Sequence, residues 1–230
     1  MHEAYVDEFC RVRAKEAPDD SQKTVLLSFT GIGHAMGGIN VQKIEFFGTG
    51  RTFDNVLFID DLQRSWGNAL DFPAIIAALR PYLEGRRVSA IGNSLGGFLS
   101  VVVSAFWEIE TVVAFASQYS VSRAVIPQEE RWQKFTGSIK EFRIPSLEGY
   151  FNDTTRYFLF SGGAGREHLH WSRFPKKDNV SNVVFAGVKH NLASILKEEG
   201  SLSPIIDACF SGRFAIDWLN GITAYPARFA

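Results

Sequence analysis

The chain has 230 residues, a length that predicts one compact domain over residues 1–230 with a hydrophobic core of its own. Hydrophobic residues make up 46% of the chain and charged residues 21%, a composition typical of folded globular proteins rather than disordered or fibrous ones. The formal net charge of −1 at pH 7 gives no electrostatic reason to expect a nucleic acid or an anionic membrane as partner, and leaves small neutral ligands open.

The N-terminal segment alternates charged and apolar side chains and lacks the continuous apolar stretch of a signal peptide. No apolar run in the sequence is long enough to span a bilayer, so we expect a cytoplasmic protein without a membrane segment. The spacing of the two cysteines, Cys10 and Cys209, matches neither a disulfide framework nor a metal site. We expect both thiols to be reduced, buried and inert.

Six short apolar runs follow one another along the chain, and none of them alternates polar with apolar residues. Continuous runs of β-forming residues are typical of strands covered on both faces, as in a parallel sheet flanked by helices. The runs are residues 24–29, 55–59, 88–91, 111–115, 157–160 and 182–186.

Three helical patterns lie between or after these strands, at residues 71–85, 95–109 and 201–219. In the first of them Asp71 is a suitable N-cap, and Pro81 is expected to kink the helix or shorten its last turn. Strands that alternate with helices predict an α/β protein with a mostly parallel, doubly wound sheet and helices on both faces.

Two connections depart from this alternation. Residues 30–54 are rich in glycine and lack a helical face, although a helix normally connects two parallel strands. Residues 120–153 form an insertion with several aromatic side chains that is longer than an ordinary loop of an α/β protein. We expect this insertion to form a small cap over the ligand-binding end of the sheet.

The third predicted strand runs into the sequence G-N-S-L-G at residues 92–96, and a helical pattern follows at once. A strand, a Gly-x-Ser-x-Gly turn and a helix together place the serine on a strained, positive-φ bend, where a Cβ on either flanking glycine would collide with backbone. The bend exposes the hydroxyl and directs the N-terminus of the next helix toward the oxygen of the group under attack. Ser94 is therefore the candidate nucleophile.

Together with a later strand that is followed by G-V-K-H-N at residues 187–191, this unit resembles the α/β-hydrolase superfamily and its serine esterases. The resemblance extends from residue 24 to about residue 219 and implies the α/β-hydrolase fold, without a cofactor or a metal. Its chain order of nucleophile, acid and histidine assigns the general base to His190, at the carboxyl edge of the sheet and level with Ser94.

In similar hydrolases the acid follows the strand before the histidine strand, but Ser161 occupies that position here. Glu167 is the first carboxylate beyond this strand and is our candidate acid, since a glutamate can also hold the Nδ1–H of an imidazole. Asp178 and Asp153 are less suitable, because both precede a strand and so belong to the opposite end of the sheet. The absence of any acid is the remaining alternative.

The resemblance also implies an oxyanion hole of two backbone amides, one from Leu95 and one from the loop after the first predicted strand. The sequence T-G-I-G at residues 30–33 resembles the His-Gly-x-Gly loop of the superfamily, with threonine in place of the histidine, and assigns the second amide to Ile32. His34 and Met36 would then line the pocket.

Two other polar clusters are less informative. His168 and His170 are two residues apart, which on a strand would place both on one face, but no further ligands stand at a spacing suited to a metal ion. Asp60 and Asp61 end the second predicted strand, and we expect one of them to anchor the next loop through a salt bridge to Arg64.

Together these residues predict a serine hydrolase that cleaves a carboxylic ester or thioester of a small molecule through an acyl-enzyme on Ser94, with His190 as general base. The alternatives are an acyltransferase that uses the same nucleophile and a non-catalytic binding or scaffold protein on a hydrolase fold. The loop R-S-W-G-N at residues 64–68 is similar to one in short relatives associated with polysaccharide metabolism, which implies a sugar ester. The sequence carries no signal for the oligomeric state.

Overall fold

The computed structural model describes residues 1–17, 23–33 and 42–230. Within these ranges nine strands form one sheet. The strands are β1 (His2–Val6), β2 (Cys10–Lys15), β3 (Thr24–Phe29), β4 (Asn55–Asp61), β5 (Arg87–Asn93), β6 (Thr111–Phe115), β7 (Arg156–Gly162), β8 (Val180–Phe185) and β9 (Ala227–Phe229). Their order in the sheet is β1-β2-β4-β3-β5-β6-β7-β8-β9.

The sheet is mostly parallel, as the sequence predicts. Neighbouring strands from β4 across to β8 pair in parallel, and these six strands are the six apolar runs of the sequence. The strands β1, β2 and β9 were not predicted, and they pair antiparallel toward the two edges of the sheet. They lack a continuous apolar run because much of their surface faces solvent, and residues of β2 alternate between buried and half-buried.

Helices cover both faces of the sheet. In the described part of the chain they are α1 (Phe72–Leu83), α2 (Leu95–Val102), α3 (Gln133–Thr136), α4 (His168–Trp171), α5 (Leu192–Glu198), α6 (Leu202–Phe210) and α7 (Ile216–Ile222). The first two pack on one face, and the last three pack on the other. Within β6, Val113 belongs to one core, whereas Val112 and Ala114 belong to the other, which explains why the central strands are apolar throughout.

The first predicted helix agrees closely with the structure. Asp71 caps α1 as predicted, since its Oδ1 accepts a hydrogen bond from the Ala74 amide at 3.1 Å. The helix then continues through Pro81 and ends at Leu83, within the predicted range of residues 71–85. Leu83 is fully buried in the core, and this packing holds the last turn although Pro81 removes one backbone hydrogen bond.

The other two predicted helices are shorter. Residues 201–219 form α6 and α7 instead of one helix, because Gly212 adopts a left-handed φ of 71° between them. The helix predicted at 95–109 ends at Val102 and is followed by a 3-10 turn at Val103–Ala105. Across the described ranges, no helix is both long enough and apolar enough to cross a membrane.

The insertion at residues 120–153 connects β6 to β7 and contains the short helix α3. It is anchored by buried apolar side chains that join the core on the α1 and α2 face. These side chains are Val121, Ile144, Leu147 and Phe151. The insertion is thus packed onto the rest of the chain, and its role as a cap stays a prediction.

The turn at residues 92–96 joins β5 to α2. Ser94 has a φ of 56° and a ψ of −117°, a backbone conformation that costs energy for any residue other than glycine. A Cβ on Gly92 would lie 2.1 Å from the backbone oxygen of Gly96, and a Cβ on Gly96 would lie 2.3 Å from the backbone oxygen of Phe29. The first turn of α2 therefore packs directly against the ends of β3 and β5.

We expect Gly92→Ala and Gly96→Ala each to lower the free energy of unfolding by about 3 kcal/mol or more, because the added methyl group meets rigid backbone. Gly221→Ala is the control, since a Cβ on this glycine of α7 meets nothing within 4 Å. Urea denaturation of the three variants measures the effect. Losses below about 1 kcal/mol at both residue 92 and residue 96 would contradict this account of the turn.

Candidate active site

Three loops at the carboxyl edge of the sheet bring the predicted nucleophile, base and acid together. Ser94 follows β5, Glu167 ends a 3-10 turn (Gly165–Glu167) after β7, and His190 follows β8. Oγ of Ser94 lies 2.9 Å from Nε2 of His190, and Nδ1 of His190 lies 3.1 Å from Oε2 of Glu167. The three side chains thus form one hydrogen-bonded chain.

Each contact in this chain has one donor and one acceptor when the imidazole is neutral and carries its proton on Nδ1. The Ser94 hydroxyl then donates to Nε2, and Nδ1–H donates to Glu167. This arrangement can remove a proton from the hydroxyl, because the lone pair of Nε2 faces the O–H group. The carboxylate can stabilise the imidazolium that results.

Glu167 is buried, with 3% of its side chain exposed, whereas 24% of the His190 side chain is exposed. Burial opposes ionisation of Glu167, but the hydrogen bond and charge of His190 and the charge of Arg131 outweigh it. The pKa of the Glu167 carboxyl therefore lies below its ordinary value. This side chain is consequently an ionised carboxylate at neutral pH.

The other two carboxylates considered from the sequence are exposed and lie at the amino ends of their strands. Asp153 precedes β7 and pairs with Nζ of Lys177 at 2.9 Å. Asp178 precedes β8. Glu167 is thus the carboxylate that the structure places against His190.

The residues predicted for the oxyanion hole lie on two neighbouring segments. Leu95 is the first residue of α2, and Ile32 lies in the loop after β3, whose end is beside β5 in the sheet. The carbonyl oxygen of Ile32 accepts a hydrogen bond from Nε of Arg64 at 3.0 Å, which fixes this loop. The use of these amides stays a prediction, and His34 and Met36 lie outside the described residues.

Gln118 contacts the candidate nucleophile, and the sequence analysis missed it. Its Nε2 donates to Oγ of Ser94 at 3.0 Å, and its Oε1 accepts from Nε1 of Trp66 at 3.1 Å. The side chains of Gln118 and Trp66 are fully buried. The position of Gln118 just after β6, at the same edge as Ser94, was the one signal that could have identified it.

A largely buried cluster behind the candidate acid was also not predicted from the sequence. It contains Arg131, which contacts Oε1 of Glu167, together with Glu129 and His170. The two neighbouring histidines, His168 and His170, lie on the helix α4 rather than on a strand, so the two side chains do not share one face. His168 is exposed, whereas His170 is buried.

The prediction that Asp60 or Asp61, at the end of β4, forms a salt bridge with Arg64 is wrong. Asp60 pairs with Arg11 of β2 at 2.7 Å. Oδ2 of Asp61 instead accepts hydrogen bonds from the backbone amides of Ser65 and Gly67. Asp61 therefore anchors the loop through backbone hydrogen bonds. Because adjacent residues of a strand point to opposite faces of the sheet, Asp60 and Asp61 bind different partners.

Neither the thiols nor the carboxylates point to a metal. Cys10 and Cys209 are free and buried, and burial raises the pKa of both thiols. Among the residues that the structure describes, no three His, Cys, Asp or Glu side chains are grouped as a metal site would require.

No family model and no curated protein sequence matches the chain. Its fold, however, is similar to those of solved structures. One is a thermophilic esterase from the Planctomycetes species Thermogutta terrifontis, at 15% identity and a TM-score of 0.52 over 90% of this chain and 91% of that chain. Another is the capsule O-acetyltransferase of Neisseria meningitidis serogroup A, at 14% identity and a TM-score of 0.51 over 73% and 76%.

A third similar structure is the Glycosylation Associate Protein (Gap123) complex from Streptococcus agalactiae, at 13% identity and a TM-score of 0.64. The match covers 93% of this chain but 47% of that one, so the chain spans about half its length. At such identities the similarity shows the fold alone. Together with the strand order and the turn at Ser94, it confirms that the chain has the predicted α/β-hydrolase fold.

Glu45 lies beside the loop that would supply one oxyanion amide. Its Oε1 accepts a hydrogen bond from the Gly31 amide at 3.1 Å. Burial raises the pKa of Glu45 to about 7, although the Gly31 hydrogen bond opposes this shift. In the unfolded chain the carboxyl group ionises at its ordinary, lower pKa, so between these two values the folded protein holds a proton that the unfolded chain has lost.

We expect Glu45→Gln to gain stability relative to the wild type as the pH rises from 5 to 8, by up to about 3 kcal/mol, because glutamine never has to ionise. The amide oxygen of glutamine can still accept from Gly31. Urea denaturation at both pH values measures the difference, with the exposed Glu108→Gln as control. An equal stability difference at pH 5 and pH 8 would show that Glu45 ionises normally.

Proposed function

We propose that the protein is a serine hydrolase that cleaves a carboxylic ester or thioester of a small molecule through an acyl-enzyme on Ser94. The observation that carries this proposal is the hydrogen-bonded chain from Ser94 through His190 to Glu167. A serine hydroxyl needs a base within hydrogen-bond reach to act as a nucleophile at neutral pH. The α/β-hydrolase fold, which is shared with the similar esterase, supports this class of reaction.

In the first half of the reaction Oγ of Ser94 attacks the carbonyl carbon of the ester, and Nε2 of His190 takes the hydroxyl proton. The carbonyl oxygen becomes an oxyanion, which the amides of Leu95 and Ile32 would bind. The bond to the alcohol or thiol then breaks, and His190 gives its proton to this leaving group. Glu167 holds Nδ1–H throughout and stabilises the transient imidazolium.

In the second half a water molecule replaces the leaving group. His190 removes a proton from this water, and the resulting hydroxide attacks the acyl carbon of the ester on Ser94. The second tetrahedral intermediate collapses, the bond between the acyl carbon and Oγ breaks, and His190 returns the proton to Oγ. The acid is released and the resting enzyme is restored.

Gln118 would act on the nucleophile itself. Its Nε2–H group donates to Oγ of Ser94, while the hydroxyl proton of Ser94 faces His190. A hydrogen bond to this oxygen favours the charge that develops as the proton leaves, and it favours Oγ as the leaving group during deacylation. Trp66 fixes the orientation of the amide, because its indole N–H can donate only to the oxygen of Gln118.

An acyltransferase is the second candidate function, and the fold similarity to a capsule O-acetyltransferase is the observation that favours it. The acyl-enzyme would be the same, but an alcohol would take the acyl group in place of water. The contact between Glu167 and His190 argues against the non-catalytic alternative, because it supplies a carboxylate to the imidazole although none stands directly after β7.

The first experiment combines a fluorophosphonate probe with a panel of p-nitrophenyl esters of increasing acyl length and an acetylated sugar. We expect Ser94→Ala to abolish labelling, and Ser94→Ala and His190→Ala to lower kcat/KM by at least about a thousandfold. Glu167→Ala is expected to leave less than about a tenth of the wild-type rate, because the imidazole loses its orientation. His2→Ala, an exposed histidine, is the control.

A wild-type protein that neither reacts with the probe nor turns over any ester would refute the enzyme proposal. Addition of an alcohol acceptor separates the two candidate functions. A hydrolase releases mainly the free acid, whereas an acyltransferase forms mainly the ester of the acceptor. The ratio of these two products is measured by mass spectrometry.

The second experiment tests Gln118. We expect Gln118→Leu to slow labelling of Ser94 and to lower kcat about 10- to 100-fold, because Oγ loses a hydrogen-bond donor. Gln118→Glu should be slower still, since a carboxylate would repel the developing charge. Gln63→Leu, at an exposed glutamine, is the control. Equal labelling rates for Gln118→Leu and the wild type would leave Gln118 without a role in the reaction.

A further inference from the structure

Arg131 lies in the insertion between β6 and β7 and connects two buried carboxylates. Its Nη1 contacts Oε1 of Glu167, the oxygen that does not face His190. Its opposite edge binds Glu129, with Nε at 3.0 Å from Oε1 and Nη2 at 2.7 Å from Oε2. The backbone amide of Arg131 also donates to Oε1 of Glu129 at 2.7 Å, so the guanidinium is held on two sides.

His170 completes this cluster from the side of α4. Its Nδ1 accepts a hydrogen bond from the Tyr119 amide at 3.2 Å, which places the imidazole proton on Nε2. Nε2–H then donates to Oε2 of Glu129 at 2.8 Å. Burial lowers the pKa of His170, so the ring is neutral and serves Glu129 as a fixed donor.

The two carboxylate side chains of the cluster are almost fully shielded from solvent, and the side chain of Arg131 is partly exposed. The exposed fractions of the side chains are 0% for Glu129, 1% for His170, 3% for Glu167 and 22% for Arg131. Burial opposes ionisation of Glu129, but hydrogen bonds from His170 and Arg131 outweigh it and hold its pKa far below the ordinary value. Two ionised carboxylates therefore share one guanidinium.

We propose that Arg131, aligned by Glu129 and His170, is a positioning residue for the candidate acid, and this inference rests on the proposed function. By holding Oε1 of Glu167, Arg131 keeps Oε2 on Nδ1 of His190. The insertion at residues 120–153, which was predicted as a cap, then also contributes a residue that positions the candidate acid. Without Arg131, Glu167 can rotate away from His190 or bind a proton.

A nearby ion pair provides a matched control. Glu130 and Arg166 pair at 2.7 Å and join the same two segments of the chain, each one residue away from the buried cluster. Their side chains are 55% and 47% exposed, so the pair contributes little to stability. Substitutions in this pair alter the charge of the same region without a change in the contacts of Glu167.

The experiment compares Arg131→Met, Arg131→Lys and the double variant Glu129→Gln/Arg131→Met with the controls Glu130→Gln and Arg166→Met. We expect Arg131→Met to lower kcat about 10- to 100-fold with little change in KM, because the geometry of the acid matters in the transition state. Arg131→Lys should recover part of the loss. The double variant removes one charge of each sign, which preserves folding if Arg131→Met alone leaves the carboxylates unpaired.

The pH profile separates positioning from a structural role. Arg131 and His190 contact Glu167 directly, and the carboxylate of Glu129 and the titratable ring of His170 lie in the same cluster. The positive charge of Arg131 opposes proton binding to the Glu167–His190 pair as a whole. We therefore expect the acid limb of the kcat/KM profile to move to higher pH in Arg131→Met, and to stay in place in Arg166→Met.

A double-mutant cycle adds an independent measurement. In a Glu167→Gln background, Arg131→Met should change kcat less than about twofold, since the group that it positions has been replaced. An effect as large as in the wild-type background would overturn the proposal. So would a kcat and an acid limb in Arg131→Met equal to those of the wild type, and in that case labelling of Ser94 would still support the proposed hydrolase.

If the wild type neither reacts with the probe nor turns over any ester, the proposed function fails but the contact between Arg131 and Glu167 can still be tested. The Nδ1–H proton of His190 is then followed by NMR with 15N-labelled histidine and assigned by its loss in His190→Ala. We expect Arg131→Met to shift this signal or broaden it by exchange, and Arg166→Met to leave it unchanged. An unchanged signal in Arg131→Met would refute the positioning role.

Discussion

The candidate site depends on how closely α2 approaches the ends of β3 and β5. The helix begins one residue after Ser94, and its first turn lies so near the Phe29 carbonyl that residue 96 has no room for a Cβ. This close approach brings the N-terminus of α2 beside the loop after β3. Ser94, the N-terminus of α2 and residues 30–33 of the loop after β3 therefore lie in one small region, which contains both amides predicted for the oxyanion hole.

A second close approach explains why the carboxylate stands some distance after β7. A Cβ on Gly162 at the end of β7 would lie 2.4 Å from the carbonyl oxygen of Val188 and 2.5 Å from that of Lys189. The loop that carries His190 thus packs directly on the end of β7. The candidate acid comes from the 3-10 turn that follows, where the longer side chain of Glu167 reaches back to the imidazole.

A structural feature of this protein could be predicted from the sequence when the residues that determine it lie close together in the chain. The six central strands are local, because burial on both faces requires a continuous apolar run. The turn at Ser94 is local too, because the close backbone contacts of this turn require glycine two residues before and two residues after the serine. The pairing of Glu167 with His190 required an assumed resemblance, since nothing in either segment encodes the other, and the order of the strands in the sheet was not predicted.

The residues that the sequence did not identify are those whose partners are distant in the chain. Gln118 is one of many polar loop residues until the fold brings it to Ser94 and Trp66. Likewise, Glu129 and Arg131 have the appearance of a solvated charged segment, and their neighbours Glu130 and Arg166 are indeed exposed. The ion pair of Arg131 with the buried Glu167 and the exposed pair of Glu130 with Arg166 are one residue apart in each segment. No local sequence pattern distinguishes the two pairs.

The charges around Glu167 explain why such a cluster suits an acid of this kind. Two carboxylates, one guanidinium and a neutral His170 leave one negative charge beside His190. In the proposed reaction His190 takes the proton of Ser94 and this charge is then neutralised, so imidazolium formation would be favoured beside carboxylates that are shielded from water. Without the guanidinium two negative charges would be buried together, and a proton on one carboxyl group would relieve their repulsion. In the proposed mechanism Arg131 thus permits Glu167 to stay ionised, while the cluster still attracts the proton that His190 would take from Ser94.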